Sequence, residues 1–426
     1  LVCLDCQPAE LVHRIRGDRG RPMLWADDPE ARLHALYEKR RPAYAQIPYH
    51  IDTTQLSLEQ VIDEVSALFK AAPRHWDVST PTGGYYVYLH PGGLAHIGAL
   101  LRARGVMGTV VLVTDDNVWP LYAEWALQGL RRAGLSAESV VLPAGEAHKN
   151  MDTLRSIYDR FVEAGLERSG AVAALGGGVI TDMAGFAAAS FMRGVALVHV
   201  PTTLLSMVDA SVGGKVAVDL PQGKNLVGAF VRPLFVMLDL ETLPSLPEIE
   251  LRAGLAEVIK AGVIADVELF ARLEREGAHE HLRWIVERAL QVKIDIVQED
   301  PYERGRRAVL NLGHTFAHAF EVLADYGLHH GLAVSMGMVA AAHLAEMRGL
   351  CSADARKRIV HTLQRHGLPT EYTAHTPQDV YRAMATDKKR RGSRLRFVLP
   401  KEIGEVIIDG RVPEEQVLAA LERMRS

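Results

Sequence analysis

The sequence predicts an α/β domain built on a mainly parallel sheet, followed by an all-helical domain and preceded by a partial α/β segment. Two observations carry this prediction. From Tyr85 onward short apolar strands alternate with amphipathic helices, which is typical of a parallel sheet covered by helices. After about Pro247 strand signals nearly vanish and long amphipathic stretches replace them. We expect a first unit at 1–72, a linker at 73–84, and domains at 85–246 and 247–426.

The first 70 residues are mostly helical in pattern. A strand-like stretch at 1–5 precedes helices expected at 10–15, 29–40 and 58–69, and an Arg-, Gly- and Asp-rich loop occupies 16–29. Because the first strand starts at Leu1 and not after a methionine, we expect this unit to lack its beginning. Residues 71–84 are rich in Pro, Thr and Gly, which indicates a linker.

The later elements alternate in the order that a parallel sheet requires. Strands are expected at 85–89, 108–114, 140–142, 171–175 and 197–200, with helices near 95–104, 121–133, 156–164 and 183–190. The amphipathic stretches of the helical domain lie at 250–275, 281–299, 313–323, 331–348 and 352–366. A short strand is expected at 396–399.

Composition excludes several classes of protein. The chain has 426 residues, is 48% hydrophobic and carries a formal net charge of −4, so it offers no basic surface for nucleic acid. No apolar run reaches about 18 residues and the N-terminus does not resemble a signal peptide, so we expect no membrane span and a cytoplasmic location. The three cysteines are too few for a disulfide framework, which fits a reducing compartment.

A glycine-rich turn, in the stretch AALGGGVITD at 173–182, joins an apolar strand to a helix. Backbone N–H groups in such a turn can approach a pyrophosphate without interference from Cβ atoms. The pattern is not G-x-G-x-x-G, so a tight turn without a phosphate remains the alternative. Asp115 and Asn117 follow the strand at 108–114, where an acidic group suits a ribose hydroxyl pair. The alternative there is a helix N-cap.

Two imidazoles, His314 and His318, are spaced i,i+4 on one helical face, and His330 follows a short loop later. Glu257 lies in an apolar helix with Lys260 on the same face, which suggests a partly buried carboxylate. The alternatives are a solvated ion pair for Glu257 and Lys260 and a structural role for the histidine pair. Two or three imidazoles with a carboxylate make a standard catalytic metal site. The H-E-x-x-H motif of metalloproteases is absent because Thr315 follows His314.

Several cationic residues occupy glycine-rich or apolar contexts, which suits a substrate that carries both a phosphate and a carboxylate. Each of them is open to the alternative of an ordinary surface charge. They are Arg193, Lys215, Lys224, Lys260, Lys293, Arg307, Lys388 and Lys389.

Long ordered motifs in this sequence resemble the 3-dehydroquinate synthase family. They lie at 176–182, 185–195, 200–209, 213–215, 223–230, 256–260, 311–318 and 330–331, and the likeness covers about residues 81–426. The resemblance implies a Rossmann-like α/β half followed by an all-helical half, with NAD and one divalent metal, zinc or cobalt, as cofactors. It implies a lyase that converts 3-deoxy-D-arabino-heptulosonate 7-phosphate to 3-dehydroquinate and phosphate in the shikimate pathway.

The resemblance also carries functional residues onto this sequence. It implies metal binding by Glu257, His314 and His330. It implies NAD contacts at Asp115, Asn117, Glu146, Lys149, Gly177, Gly178, Asp182, Thr202, Thr203, Leu205, Ser245 and Glu250. It implies substrate contacts at Asp209, Lys215, Lys224, Asn225, Lys260, Lys293, Arg307, Asn311, His318 and one lysine of the pair Lys388 and Lys389.

The implied catalytic set comprises His318, Lys215, Asn225, Asn311, Lys260 and Arg193. His318 is the candidate proton shuttle, one turn from His314. The arginine that matches Arg193 serves the neighbouring subunit's site in the family, so a homodimer is implied. The implied chemistry oxidises the C5 hydroxyl with NAD, eliminates phosphate after loss of the C6 proton, returns the hydride, and closes the ring by an aldol step.

Two rival functions remain at this point. One is another sugar phosphate cyclase, from which Lys224, Asn225, Arg307 and His318 distinguish this sequence. The other is an NAD- and metal-dependent polyol dehydrogenase, which would release NADH. Three departures from the family pattern are Leu332 where Glu is common, Thr181 where Gly is usual, and the loop DLPQ at 219–222. We expect activity to survive all three.

A second resemblance covers residues 1–70, which look like the C-terminal third of shikimate kinase. The matching stretches are DRGRPML at 18–24, DPEAR at 28–32 and KRRPAY at 39–44. They imply that Arg21 meets ATP phosphates and that Arg40 binds the shikimate carboxylate. The sequence contains no G-x-x-x-x-G-K-[ST] loop, so we expect no kinase activity from it. The pairing suggests a parent that fuses kinase and synthase.

Overall fold

The computed structural model describes residues 2–15, 28–44, 49–62, 73–81, 83–390 and 395–425. The chain divides into two compact units, Leu1–Pro73 and Arg74–Ser426. Among the described helices, none is long and apolar enough to cross a membrane.

The first unit contains a two-stranded parallel sheet. Strand β1 (Val2–Asp5) pairs with β2 (Tyr49–Asp52), and the helices Pro8–Ile15 and Pro29–Tyr44 lie between them in the chain. The Thr53 N–H donates to the Asp5 carbonyl at 2.8 Å, which fastens the two strand ends together. Helical residues at 58–62 begin the third expected helix, and its remainder and Arg21 lie outside the described residues.

The second unit is built on a seven-stranded sheet, and the strand order is β3-β4-β11-β8-β7-β5-β6. All neighbouring pairs are parallel except β3 with β4. The strands are β3 (Arg74–Val78), β4 (Tyr85–Leu89), β5 (Val110–Asp115), β6 (Ala137–Leu142), β7 (Ala171–Gly176), β8 (Ala196–Pro201) and β11 (Phe235–Leu238). The prediction of an α/β half on a mainly parallel sheet is confirmed.

Strand β3 corrects the predicted linker at 73–84. Trp76 and Val78 alternate with exposed His75 and Asp77, so one face of the strand packs inward while the other is polar. The Trp76 indole N–H donates to the Gln291 amide oxygen at 2.9 Å. Among the described residues of this stretch, 79–81 and 83–84 connect the two antiparallel strands.

Helices cover both faces of this sheet, as the apolar strands require. The helices are Ile97–Ala103, Glu124–Arg132, Met151–Glu163 and Gly178–Ser190. Alternate residues of β5 enter different cores, because Leu112 packs in one cluster and Val111 and Val113 pack in the other. A strand buried on both faces explains why 110–113 is apolar without alternation.

The rest of the second unit is mostly helical, which confirms the prediction. Its helices are Glu248–Ala265, Val267–Arg275, Leu282–Glu299, His314–Leu323, His330–Met347, Ala353–Arg365, Pro377–Arg390 and Glu414–Arg423. The expected single stretch at 250–275 is two helices because Asp266 caps the second one, accepting from the Leu269 N–H at 2.9 Å. The expected strand at 396–399 is β12 (Phe397–Glu402), which pairs with β13 (Glu405–Asp409).

Two antiparallel strands between the two halves were not predicted. Strand β9 (Lys215–Leu220) pairs with β10 (Gly223–Phe230) to form a hairpin. Alternate residues of β10 are exposed, so the hairpin lacks the apolar run that marks the sheet strands. This hairpin carries three of the predicted site residues, namely Lys215, Lys224 and Asn225.

Candidate active site

The carboxyl ends of five parallel strands carry most of the residues expected to contact NAD. Asp115 ends β5, Gly177 follows β7 and Thr202 follows β8. The chain runs from β5 to β6 on one side and from β7 to β8 on the other, and such a switch of direction leaves a crevice at the strand ends. Glu146 and Ser245 lie shortly after β6 and β11 at the same edge.

Asp115 serves as a local cap in this structure. Its Oδ1 accepts hydrogen bonds from the backbone N–H groups of Asn117 and Val118, both at 3.0 Å. Burial raises the pKa of Asp115, partly offset by these N–H groups. Asp115 therefore caps the turn that precedes the helix Trp119–Ala123, whose own N-cap is Val118 without a side-chain hydrogen bond.

The glycine turn has the tight geometry that a phosphate-binding turn needs. Gly177 precedes the helix Gly178–Ser190, and a Cβ built at Gly177 would lie 3.0 Å from the Thr203 methyl carbon. The Thr202 N–H donates to the Gly176 carbonyl at 3.0 Å, which joins the ends of β7 and β8. Leu205 follows in the next turn. The start of this helix thus has two residues without a Cβ, which is the feature that lets backbone N–H groups approach a phosphate.

Lys149 links the glycine helix to the β9–β10 hairpin. Its Nζ lies 2.5 Å from Asp182 Oδ2 and 2.6 Å from Asn225 Oδ1. Burial would lower the pKa of Lys149, but the carboxylates of Asp182 and Glu146 outweigh burial and raise it. Asn225 has a left-handed backbone, with φ 55°, and its N–H donates to Asp219 Oδ1 at 2.7 Å. A residue expected near NAD and one expected near the substrate are therefore in direct contact.

Glu257, His314 and His330 converge on one point. One ligand atom from each lies within 4.8 Å of the others. Glu257 Oε1 is 3.8 Å from His314 Nε2 and 3.6 Å from His330 Nε2. Glycines allow the helices to meet, because a Cβ built at Gly331 would lie 2.0 Å from the Ala253 carbonyl oxygen.

These three residues fit a divalent cation. Glu257 is buried, and Lys260 makes an ion pair with its Oε2. Its Oε1 faces both imidazoles, and a cation held there by these three groups would complete the surroundings of this buried oxygen. The Nδ1 atom of His314 is 3.2 Å from the Leu312 carbonyl oxygen, which leaves Nε2 directed at Glu257. That arrangement is usual for a histidine that binds a metal.

The electrostatics differ among the three residues, because Lys260 opposes positive charge at His314 while two carboxylates favour it at His330. Burial would raise the pKa of Glu257, but the ammonium of Lys260 outweighs burial and lowers it to about 2. Burial and the nearby Lys260 hold the pKa of His314 well below its usual value, so this imidazole is neutral. Burial would lower the pKa of His330, but Glu257 and Glu321 raise it to about 10. Two carboxylates therefore stabilise a cation at the His330 ring.

A second charged cluster lies beside the metal residues. Lys293 Nζ is 2.5 Å from Asp209 Oδ1, and both residues line a small cavity with Glu257 and Lys260. Burial lowers the pKa of Lys293, and the two lysines lower the pKa of Asp209 despite its burial. The cavity wall thus carries two lysine side chains, each paired with a carboxylate.

Lys215 and Asn311 meet through Glu303. Lys215 makes an ion pair with Glu303, and Asn311 Nδ2 donates to Glu303 Oε1 at 2.7 Å. Glu303 has a left-handed backbone with φ 56°. Arg307, at 2% exposure, donates to the carbonyls of Gly213 and Pro301.

Lys224 reaches the metal residues from the hairpin. Its Nζ is 3.2 Å from Glu146 Oε1 and 3.0 Å from Glu321 Oε1. Glu321 Oε1 is in turn 3.4 Å from His330 Nδ1. The His318 ring centroid lies 5.7 Å from that of His314 and 6.4 Å from that of His330.

The remaining predicted residues lie as follows. The Ser245 hydroxyl accepts from Tyr122 Oη at 2.6 Å, and Glu250 Oε1 is 3.2 Å from His329 Nδ1. Arg193 is exposed in a turn after the glycine helix, with φ 67°, and no contact with the site is recorded for it in this single chain. Lys388 and Lys389 fall in the helix Pro377–Arg390, but their side chains lie outside the described residues.

Sequence reasoning missed Glu303, Glu321 and the capping role of Asp219. Glu321 could have been found, because His314, His318 and Glu321 are spaced i, i+4 and i+7 and therefore share one helical face. Glu303 lies in a polar loop among other acidic residues, so no spacing marks it. Its role depends on contacts with Lys215, which is 88 positions earlier in the chain, and with Asn311, which is 8 positions later.

Comparison with known proteins agrees with this geometry. Residues 139–253 match the 3-dehydroquinate synthase N-terminal family, residues 254–390 match the 3-dehydroquinate synthase C-terminal family, and residues 1–70 match shikimate kinase. A curated 3-dehydroquinate synthase of Synechocystis sp. is 43% identical over 354 residues, which are 81% of this chain and 98% of that protein. Both predicted resemblances are confirmed.

Solved structures show the same fold. 2-epi-5-epi-valiolone synthase from Streptomyces hygroscopicus subsp. jinggangensis, with NAD+ and Zn2+ bound, has a TM-score of 0.75 at 30% identity, covering 82% of this chain and 99% of that chain. A 2-deoxy-scyllo-inosose synthase complexed with carbaglucose-6-phosphate, NAD+ and Co2+ has a TM-score of 0.73 at 23% identity, with the same coverage. Because the synthase models span 139–390 and the curated relative matches along nearly its whole length, the chain belongs to the 3-dehydroquinate synthase family.

Proposed function

We propose that the site around Glu257, His314 and His330 converts 3-deoxy-D-arabino-heptulosonate 7-phosphate to 3-dehydroquinate and phosphate, with NAD and one zinc or cobalt ion. The observation that carries the proposal is a chain of contacts that links the metal residues to Lys224 and, through Lys224, to Glu146. Glu321 joins His330 to Lys224, and Lys224 contacts Glu146 at the edge proposed for NAD. A redox cofactor, a metal and a phosphate-binding lysine within one network suit an internal oxidation followed by elimination.

Bound NAD accepts and returns one hydride, and a bound divalent cation polarises the substrate oxygens. The chain's own residues supply binding and orientation. Asp209 and Glu257 hold Lys293 and Lys260 charged at the cavity, where they would bind the substrate carboxylate or hydroxyl oxygens. Lys224 would bind the phosphate, since its ammonium is partly exposed while two carboxylates hold it in place.

Proton transfer falls to His318 in this proposal. It lies one turn after His314 on the same helix, and its ring is near both imidazoles of the metal group. That position would let it take up the C6 proton and deliver it to the departing phosphate. Lys215 and Asn311, held together by Glu303, would orient the substrate beside it.

The NAD-binding assignment is part of the same proposal. Asp115 and Asn117 would meet the ribose, while the turn at Gly177 and Gly178 would bind the pyrophosphate. The remaining candidates, which surround this edge of the sheet, are Glu146, Lys149, Asp182, Thr202, Thr203, Leu205, Ser245 and Glu250.

The decisive experiment measures inorganic phosphate released from the heptulosonate phosphate by the metal-loaded protein. We expect release that a chelator stops and that His314→Ala abolishes, with no lasting rise in absorbance at 340 nm. Intact, metal-loaded protein that releases no phosphate would refute the proposal. Steady accumulation of NADH would favour the polyol dehydrogenase instead.

Another sugar phosphate cyclase is the second candidate, because the valiolone synthase structure is 30% identical to this chain. The proposed substrate carries a carboxylate, for which Lys293 and Arg307 are the buried cationic partners. A ketose phosphate of the same length without the carboxylate separates the two functions. We expect phosphate to be released faster from the carboxylated sugar. Faster phosphate release from the sugar without the carboxylate would favour the second candidate.

We further propose a cytoplasmic homodimer in which Arg193 completes the partner's site. Arg193 is exposed on a turn that holds Met192 and Arg193 in left-handed backbone conformations. Arg193→Ala and His314→Ala should each be inactive alone, whereas mixed dimers should regain activity because one site then has both residues. Mixed dimers without activity would contradict the shared site. The cytoplasmic location agrees with the three free thiols.

A further inference from the structure

We infer that Glu321 is a positioning residue, which holds the His330 ring so that Nε2 faces the metal position and which ties this ligand to Lys224. The inference rests on the proposed metal site and assigns a residue outside the expected ligand and substrate sets. Four observations carry it: the burial of Glu321, its two contacts, the nitrogen of His330 that it meets, and its place on the helix.

Glu321 is buried at 1% exposure in the apolar helix His314–Leu323. Glutamate is almost never fully buried unless it is paired, because burial penalises the charged form. Here the pairing comes from Lys224 and His330, whose nitrogens lie 3.0 and 3.4 Å from Glu321 Oε1. A carboxylate kept charged inside an apolar helix therefore has a defined task.

Both contacts of Glu321 use the same oxygen. Oε1 lies 3.0 Å from Lys224 Nζ and 3.4 Å from His330 Nδ1. A carboxylate at Nδ1 keeps a proton on that nitrogen, so the proton that a metal displaces from the ring is the one on Nε2. His330 Nε2 is the atom that faces Glu257 Oε1, at 3.6 Å.

The two histidine ligands are oriented by different means. His314 Nδ1 lies 3.2 Å from the Leu312 carbonyl oxygen, which belongs to the backbone just before its helix. His330 begins a separate helix and follows a turn at 325–326 with left-handed backbone residues, and its Nδ1 meets a side chain instead. The His330 ring therefore depends on Glu321, whereas substitution of a side chain cannot remove the partner of His314.

Lys224 gives Glu321 its second role. The lysine comes from the β9–β10 hairpin, ion-pairs with Glu146 at 3.2 Å and lies over the Tyr326 ring at 4.8 Å. Glu321 thus connects this hairpin to His330. Loss of the carboxylate should consequently loosen the His330 ring and leave Lys224 with only one ion-pair partner recorded among the described residues.

The test is a titration of metal-free protein with Co2+, followed by visible absorption of the bound ion and without substrate. We expect Glu321→Ala to weaken Co2+ binding about 10- to 100-fold, the range typical of lost outer-sphere partners. Glu321→Gln should stay close to wild type, because its amide oxygen can occupy the Oε1 position and accept from both neighbours. The matched control is Glu274→Ala, whose carboxylate pairs with Arg358 at 2.7 Å and should leave Co2+ affinity unchanged.

Each outcome decides the inference. Glu321→Ala that binds Co2+ as tightly as wild type would overturn it, as would Glu321→Gln that is as weak as Glu321→Ala. If wild type itself binds no Co2+, both the proposed metal site and the inference are refuted. If wild type binds Co2+ and Glu321→Ala binds it equally well, only the inference is refuted. Far-UV circular dichroism and thermal melting report folding of every variant. Should Glu321→Ala not fold, Glu321→Asp replaces it, because its shorter carboxylate cannot reach both partners and should show the same loss.

Discussion

The substitution Gly331→Ala tests whether helix packing sets the geometry of the metal residues. Gly331 follows His330 and lies where its helix crosses the helix that carries Glu257. A Cβ at this position would be 2.0 Å from the Ala253 carbonyl oxygen and 2.5 Å from its carbon. These are backbone atoms, so no side-chain rotation can relieve the clash.

The size of the displacement follows from these distances. Ordinary contact begins at 3.4 Å, so the two backbones must move apart by about 1.4 Å at this crossing. Glu257 and His330 lie on the two separating helices, and metal sites tolerate deviations of only about 0.2 Å in ligand distance. We expect overpacking to cost about 1–3 kcal/mol of stability and the misplaced ligand to lower activity about 100-fold or more.

The assay measures phosphate release and Co2+ affinity for Gly331→Ala beside the control Gly277→Ala. A Cβ at Gly277 meets nothing within 4 Å, so that variant should match wild type in both measurements. Circular dichroism and thermal melting separate a displaced site from an unfolded one. Folded Gly331→Ala with wild-type activity and Co2+ affinity would refute the claim that this crossing sets the ligand geometry.

Three further predictions concern stability and the NAD edge. Burial lowers the pKa of His199 to about 4 from 6.5, so below pH 6.5 protons favour the unfolded chain and the free energy of unfolding falls towards pH 4, by up to about 3 kcal/mol. Urea melts between pH 6.5 and pH 4 give the free energy of unfolding at each pH, and this free energy should change less with pH in His199→Gln than in wild type. An equal change with pH in both proteins would contradict the assignment. Lys149→Met leaves Asp182 without its ion pair and should cost about 3 kcal/mol, part of which Asp182→Asn should restore in the double variant. Lys149→Met should also weaken NAD binding measured by fluorescence titration, and unchanged affinity would remove Lys149 from the proposed site.

The parallel sheet could be predicted from sequence because its signal is local. Residues 110–113 and 171–175 are fully buried on both faces, and such strands require an apolar run that is visible without the structure. Strand β3 and the β9–β10 hairpin escaped prediction for the opposite reason. Each has one polar or exposed face, so its register depends on neighbouring strands that the sequence does not reveal.

In the candidate site, too, features marked by local spacing could be predicted, whereas those that depend on distant contacts could not. His314 and His318 were predicted from a helical repeat, and their shared face follows from the spacing alone. Residue types alone made Glu257 a candidate carboxylate for the histidines. Its meeting with His314 and His330 depends on a helix crossing at Ala253 and Gly331, more than 70 positions apart, which no local spacing reveals. The role of Arg193 stays a proposal, because contacts across a subunit interface do not occur within a single chain.

Charges of alternating sign run through the site, and this pattern governs how substitutions there should be interpreted. Each member stabilises the charged form of its neighbour, so removing one leaves another buried and unpaired. A single alanine substitution then measures the cost of that unpaired charge together with any role in catalysis. Paired substitutions, such as Lys224→Met with Glu321→Gln, separate the two because the double variant leaves no uncompensated charge between them. The connected series is Glu146, Lys224, Glu321, His330, Glu257 and Lys260.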